Sequence, residues 1–174
     1  MTWIMVDVET DGPIPGDYSL IEIGAVVMDK QLDKTFFAQL KPISEKFNPE
    51  ALAVFETTRE QTLAYEDPKT AMLKFKNWIA TVSKDSKRVN FISDNNGFDY
   101  MFICWYFHHF LGENPFGHSS TNLGSLYKGL VKDVFKNFKH LRKTFHDHNP
   151  VNDSKGNAEA LLHMKNELGL IIKF

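Results

Sequence analysis

The chain has 174 residues, 43% of them hydrophobic, with a formal net charge of −2 and one cysteine. That is enough apolar material for one domain with a sizeable core, and it excludes both a disordered chain and a protein that coats long nucleic acids by bulk positive charge. The lone Cys104 excludes a disulfide framework and favours a reducing, cytoplasmic setting, while no apolar run nears the roughly 20 residues that span a bilayer and no signal-peptide pattern opens the chain.

In chain order, WIMVDV (3–8) is β-branched and apolar and predicts a strand, followed by the Gly- and Pro-rich bend DGPIPGDY. LIEIGAVVMD (20–29) and KTFFAQLKP (34–42) predict two further strands, joined closely enough to pair as a hairpin. NPEALAVFE (48–56) and DPKTAMLKFKNWIATVSK (67–84) predict helices, each with proline in its first turn. RVNFIS (88–93) predicts a fourth strand and FDYMFICWYFHHFLG (98–112) an aromatic helix stopped by Gly112. NLGSLYKGLVKDVFKNF (122–138) reads as mainly helical, and NDSKGNAEALLHMKNELG (152–169) as the last long helix. A three-strand start followed by alternating helix and strand implies an α/β fold: a mixed sheet, its first three strands antiparallel, flanked by helices. Residues 1–174 are expected to form a single domain.

The stretch VDVETDG (6–12) sets Asp7 and Glu9 two residues apart on the first strand, so they share one face while Val6 and Val8 take the other. Two such carboxylates raise each other's proton affinity unless a cation sits between them. Alone, the pair also fits a strand end running into solvent. Asp99 lies on the stripe of Ile103, Tyr106 and Phe110, and Asp153 on that of Ala160, Leu161, Met164 and Leu168. Each also fits an ordinary N-terminal cap. Taken together, four carboxylates at strand or helix ends all face inward. Hard divalent cations with oxygen ligands resolve the repulsion of all four, and Mg²⁺ suits that donor set. No thiolate ligands accompany them, which argues against structural zinc. His148 lies five residues before Asp153, where a neutral imidazole can serve as a general base, although His140 and His146 lie close by.

VDVETDG, SDNNGFDYMF and HNPVNDSKGNAEAL together resemble the three motifs of the DEDDh exonucleases, the group of ribonuclease T, oligoribonuclease and polymerase proofreading domains. The likeness runs from residue 4 to about 163, and NPEALAVFETTREQT resembles the family's segment before its next helix. Two departures stand out: Asp94 precedes Asn95 where many relatives carry histidine or a small residue, and ETT (56–58) lacks the His-Gly-Ile pattern common there. The resemblance implies a ribonuclease H-like fold and a 3′–5′ exonuclease that hydrolyses single-stranded nucleic acid to 5′-mononucleotides. It implies that Asp7, Glu9, Asp99 and Asp153 hold two Mg²⁺ or Mn²⁺ ions and that His148 deprotonates the attacking water. By the same likeness, the backbone amides of Thr10 and Asp11 contact the terminal nucleotide of an RNA or DNA 3′ end, and Asn95 serves substrate binding by orienting the strand or the second motif. A small stand-alone domain favours RNA or short oligonucleotides as substrate, and the likeness to ribonuclease T extends to a homodimer. A ribonuclease H-like endonuclease and an inactive nucleic-acid-binding module are the alternatives. Lys128, Lys132 and Lys136 recur every four residues and read as a basic stripe on one helix, leading through Lys139, Arg142 and Lys143 to His148.

Overall fold

The computed structural model describes residues 1–174. Five strands, β1 (Thr2–Thr10), β2 (Leu20–Val27), β3 (Thr35–Gln39), β4 (Val89–Ser93) and β5 (Ser120–Asn122), form one sheet in the order β3-β2-β1-β4-β5. β2 runs antiparallel to β1 and β3, whereas β4 lies parallel to β1 and β5 parallel to β4. The helices are α1 (Pro49–Val54), α2 (Arg59–Thr62), α3 (Pro68–Val82), α4 (Asn96–Leu111), α5 (Leu123–Val131) and α6 (Pro150–Glu167).

The alternation along β1 divides the core. Ile4, Val6 and Val8 pack with α3 and α4, against Phe75, Phe102, Ile103, Tyr106 and Phe107. Met5 faces the other way, into a second core with Leu123, Tyr127, Ala160, Leu161 and Met164 of α5 and α6. Both faces of the sheet are therefore covered, and every residue of β2 is buried, as a doubly covered strand requires. The aromatic residues of α4 serve this core, and the Leu20 amide donates to Tyr106 Oη at 2.7 Å, tying α4 to the start of β2.

Two helices begin earlier than the sequence predicts. Asn95 and Asn149 occupy the N-cap positions of α4 and α6, and the Asn149 side chain accepts from the amides of Val151 and Asn152. Asp99 and Asp153 are consequently not caps. Each is the fourth residue of its helix, its amide bonded to the cap carbonyl (Asn95 O at 3.0 Å, Asn149 O at 2.9 Å). A side chain there tilts back toward the helix N-terminus, which is how both carboxylates reach the end of β1.

The predicted helix over 122–138 is corrected at both ends. Its first residue, Asn122, ends β5 and caps α5, and α5 stops at Val131, where Lys132 takes a left-handed conformation (φ 58°) as C-cap. Lys128, Lys132 and Lys136 therefore do not line one helix face.

Gly24 of β2, opposite Asp7, fixes how closely α6 approaches. A Cβ there would lie 2.0 Å from the Pro150 carbonyl carbon, and the Ser154 hydroxyl donates to the Gly24 carbonyl at 3.0 Å. Gly24→Ala must push back the helix that carries Asp153. It is expected to lower stability by about 1–3 kcal/mol, read as a drop in Tm; unchanged melting would contradict the close packing.

Candidate active site

Asp7 and Glu9 lie on the α6 side of the sheet, at the end of β1 where its pairing with β4 has already stopped at Met5. Carboxylate oxygens of Asp7, Glu9 and Asp153 come within 4.8 Å of one another. Asp99 reaches the same place from the open side of β1. It lies against the Val8 backbone and the Ser93 side chain, and after burial its charge is the strongest influence on Asp7. Asp99 and Asp153 are 3% and 1% exposed, and the Oδ2 atom of each is buried without a hydrogen-bond partner.

Burial, and then the charges of Asp99, Glu9 and Asp153, raise the Asp7 carboxyl well above the usual carboxylate range, with Arg142 alone opposing the shift. Burial also pushes Glu9 to about 8, aided by Asp153, Glu22 and Asp99. Asp99 is pushed by burial to about 7, against the opposing hydrogen bond of Ser93. Acids crowded into one buried place, with unpartnered oxygens, form a site short of positive charge. Their donor set is all oxygen, which fits a hard divalent cation.

Both histidines of the loop before α6 reach these acids. His148 Nδ1 lies 3.9 Å from Glu9 Oε1, and His146 Nδ1 lies 2.7 Å from Asp153 Oδ1. The two rings stand 4.2 Å apart, and His146, His148 and Asp153 also bring possible ligand atoms within 4.8 Å of one another. His148 adopts φ 57°, an uncommon conformation for a residue with a side chain and of the kind that concentrates at working sites. His140 packs instead against the Tyr127 ring.

Thr10 and Asp11 are both buried at the end of the first motif's strand. The Asp11 amide donates to Ser19 O, while its fully buried carboxylate accepts from the Ser19 amide and pairs with Arg59 at 3.1 Å. Asp11 thus ties Arg59, the first residue of α2, to the end of β1, and its amide is engaged by Ser19. Thr10 is buried, and its hydroxyl donates to the Gly12 carbonyl. Asn95 is exposed and its side chain makes no cap bond, so it remains available.

Two residues escaped the sequence reading. Glu22 stands directly across from Glu9 on β2, 8% exposed, accepting from Gln39 Nε2 at 2.8 Å. Strand register, which sequence alone does not fix, brings it there. Arg142 pairs with Asp153 Oδ1 at 2.7 Å. The signal available for it was only its place in a basic run.

The family model of the RNase T exonucleases matches residues 4–161. A 3′-5′ DNA exonuclease of Escherichia coli, Cap18, is 40% identical over 167 residues, covering 90% of this chain and 88% of that protein. Among solved structures, the nuclease domain of 3′hExo, a DEDDh family member bound to rAMP, superposes with a TM-score of 0.72 at 16% identity, over 99% of this chain and 96% of that one. E. coli Exonuclease I in complex with a 5cy-dT13 oligonucleotide gives 0.69 at 16% identity over 95% of this chain, which spans 41% of its length. The zinc-bound form of the Exonuclease I–ssDNA complex gives 0.73 at 18% identity, again with this chain spanning 42% of it. At these identities the structures establish the ribonuclease H-like fold, and the match over residues 4–161 establishes the family. The chain belongs to the RNase T exonuclease family, the DEDDh 3′–5′ exonucleases.

Proposed function

We propose that this protein removes 5′-mononucleotides from the 3′ end of single-stranded DNA, with residues 1–174 acting as one exonuclease domain. The observation that carries the reading is the convergence of Asp7, Glu9 and Asp153 within 4.8 Å, with Asp99 completing the set. DNA is favoured over the RNA that the chain's small size suggested, because the relative at 40% identity is a DNA exonuclease.

Asp7, Glu9, Asp99 and Asp153 would hold two Mg²⁺ or Mn²⁺ ions. Bound divalent ions supply charge stabilisation at the scissile phosphate and ease deprotonation of the attacking water. Within this chain, His148 takes that proton. Its Nδ1 stands 3.9 Å from Glu9 Oε1, clear of direct hydrogen-bonding distance, whereas His146 Nδ1 lies 2.7 Å from Asp153 Oδ1. His146, in close contact with Asp153, steadies that carboxylate instead. The terminal nucleotide meets Asn95 at the mouth of α4.

The strand leading to the site has a path on the same side. Lys139, Arg142, Lys143, Thr144, Phe145 and His146 line a groove of about 200 Å³ that opens beside Asp153. Phe145 is 90% exposed there. Cations for phosphates and a bare aromatic ring for a base are the combination single strands require. This groove takes over the role expected of a helical lysine row. No helix is long and apolar enough to cross a membrane. The single thiol supports a cytoplasmic setting, and a homodimer rests on the resemblance to ribonuclease T alone.

Digestion of end-labelled oligonucleotides with Mg²⁺ tests the reading. A 3′ label is expected to leave at once as a mononucleotide, a 5′ label to descend a ladder, and a circular strand to persist. Cutting of the circle would establish an endonuclease, and binding without cutting an inactive module. Matched RNA digested faster than DNA would overturn the substrate assignment.

A further inference from the structure

The geometry points to Arg142 as the resident counterion of the site: a positioning residue that holds Asp153 ready for a cation before one binds. The inference rests on the metal-site reading above.

The Arg142 and Asp153 side chains are 8% and 1% exposed, and Arg142 Nη2 donates to Asp153 Oδ1 at 2.7 Å. It is the only lysine or arginine ion-paired with any of the four acids; Arg59, the other well-buried cation in a pair, serves Asp11. The pairing is one-sided. His146 Nδ1 also contacts Oδ1, so two nitrogen groups share one oxygen and leave Oδ2 buried and unpartnered. A fork-to-fork pair would have consumed both oxygens. This arrangement fixes the carboxylate's orientation and spares the atom that a cation needs.

Room for the guanidinium is built into α6. Gly156 lies one turn beyond Asp153, and a Cβ there would stand 2.4 Å from Arg142 Nε. A glycine in a helix interior is destabilising relative to alanine, and here it falls where the arginine passes. Arg142 itself follows a 3₁₀ turn, Lys139–Leu141, that packs against α6.

Thermal melting of wild type, Arg142→Met and Arg142→Lys, each in chelator and in saturating Mn²⁺, separates this role from simple packing. Arg142→Met is expected to lower the metal-free Tm and to show a larger Mn²⁺-induced rise than wild type, because the ions replace the missing charge. Arg142→Lys should fall between them. An equal loss of Tm with and without Mn²⁺ would make Arg142 a packing residue only, and no loss in either state would also overturn the inference. Should Arg142→Met not fold, Gly156→Ala applies the same test by displacing the guanidinium, with the same two outcomes. A wild type whose Tm ignores Mn²⁺ would remove the metal site, and this inference with it; a wild type that responds, with variants that respond no more, would remove this inference alone.

Discussion

Asp7→Asn is expected to lose exonuclease activity by about 10³-fold or more, the loss of several kcal/mol of charge stabilisation at phosphorus, and yet to melt higher than wild type in chelator. The two effects have one cause. Asp7 sits where Asp99, Glu9 and Asp153 all act on it, and burial disfavours its charge further. Without a cation its ionised form opposes folding, and asparagine relieves that at nearly constant shape. The sign follows from its raised folded-state pKa: the stability it contributes is fully present below the unfolded value near 4 and is lost as pH rises through the folded one. The gain from Asp7→Asn is therefore full at alkaline pH and gone by pH 4. It is read as about 2–4 °C of Tm for each kcal/mol relieved. Glu9 at about 8 and Asp99 at about 7 act in the same sense, so the metal-free wild type should lose Tm steadily between pH 5 and 8. An Asp7→Asn protein that keeps metal-dependent cutting contradicts the assignment.

His148→Ala is expected to cut kcat by about 10²–10⁴-fold while leaving Mn²⁺ binding close to wild type, because His148 makes no direct bond to an acid. The control is His146→Ala. His146 Nδ1 lies at hydrogen-bonding distance from Asp153, so its loss should disturb a ligand's orientation, at about 10–100-fold in metal affinity or activity. Single-turnover rates and Mn²⁺ titration on the two variants distinguish the roles. If His146→Ala suffers the larger fall in rate with metal binding intact, the base is His146.

The first motif was legible because it is local: period-two alternation on a strand places Asp7 with Glu9 and away from Val6 and Val8 without knowledge of the rest. The inward direction of Asp99 and Asp153 also followed from their helical stripes. Their places within the helices did not. Asn95-Asn96-Gly97 and Asn149-Pro150 look like loop, yet they start α4 and α6 and make fourth residues of two acids that by sequence also fitted caps. β5, three residues of polar sequence, has no period to detect and exists by pairing with β4. The lysine spacing at 128, 132 and 136 mimicked a helix that in fact stops at Val131, where Lys132 takes a left-handed turn. Glu22, Arg142 and the commitment of Asp11 to Arg59 depend on register and on contacts between distant segments, which a pattern along one chain does not encode.

The claim on which the account depends is that the four acids are a cation site. Calorimetric titration of Mn²⁺ into the metal-free wild type and into Asp7→Asn tests it most directly. The account predicts saturable binding of two ions to wild type, tightening as pH rises from 6 to 8 while the raised carboxyls give up their protons, and loss of at least one ion in Asp7→Asn. Heats that do not saturate, or an identical isotherm for the two proteins, would contradict it.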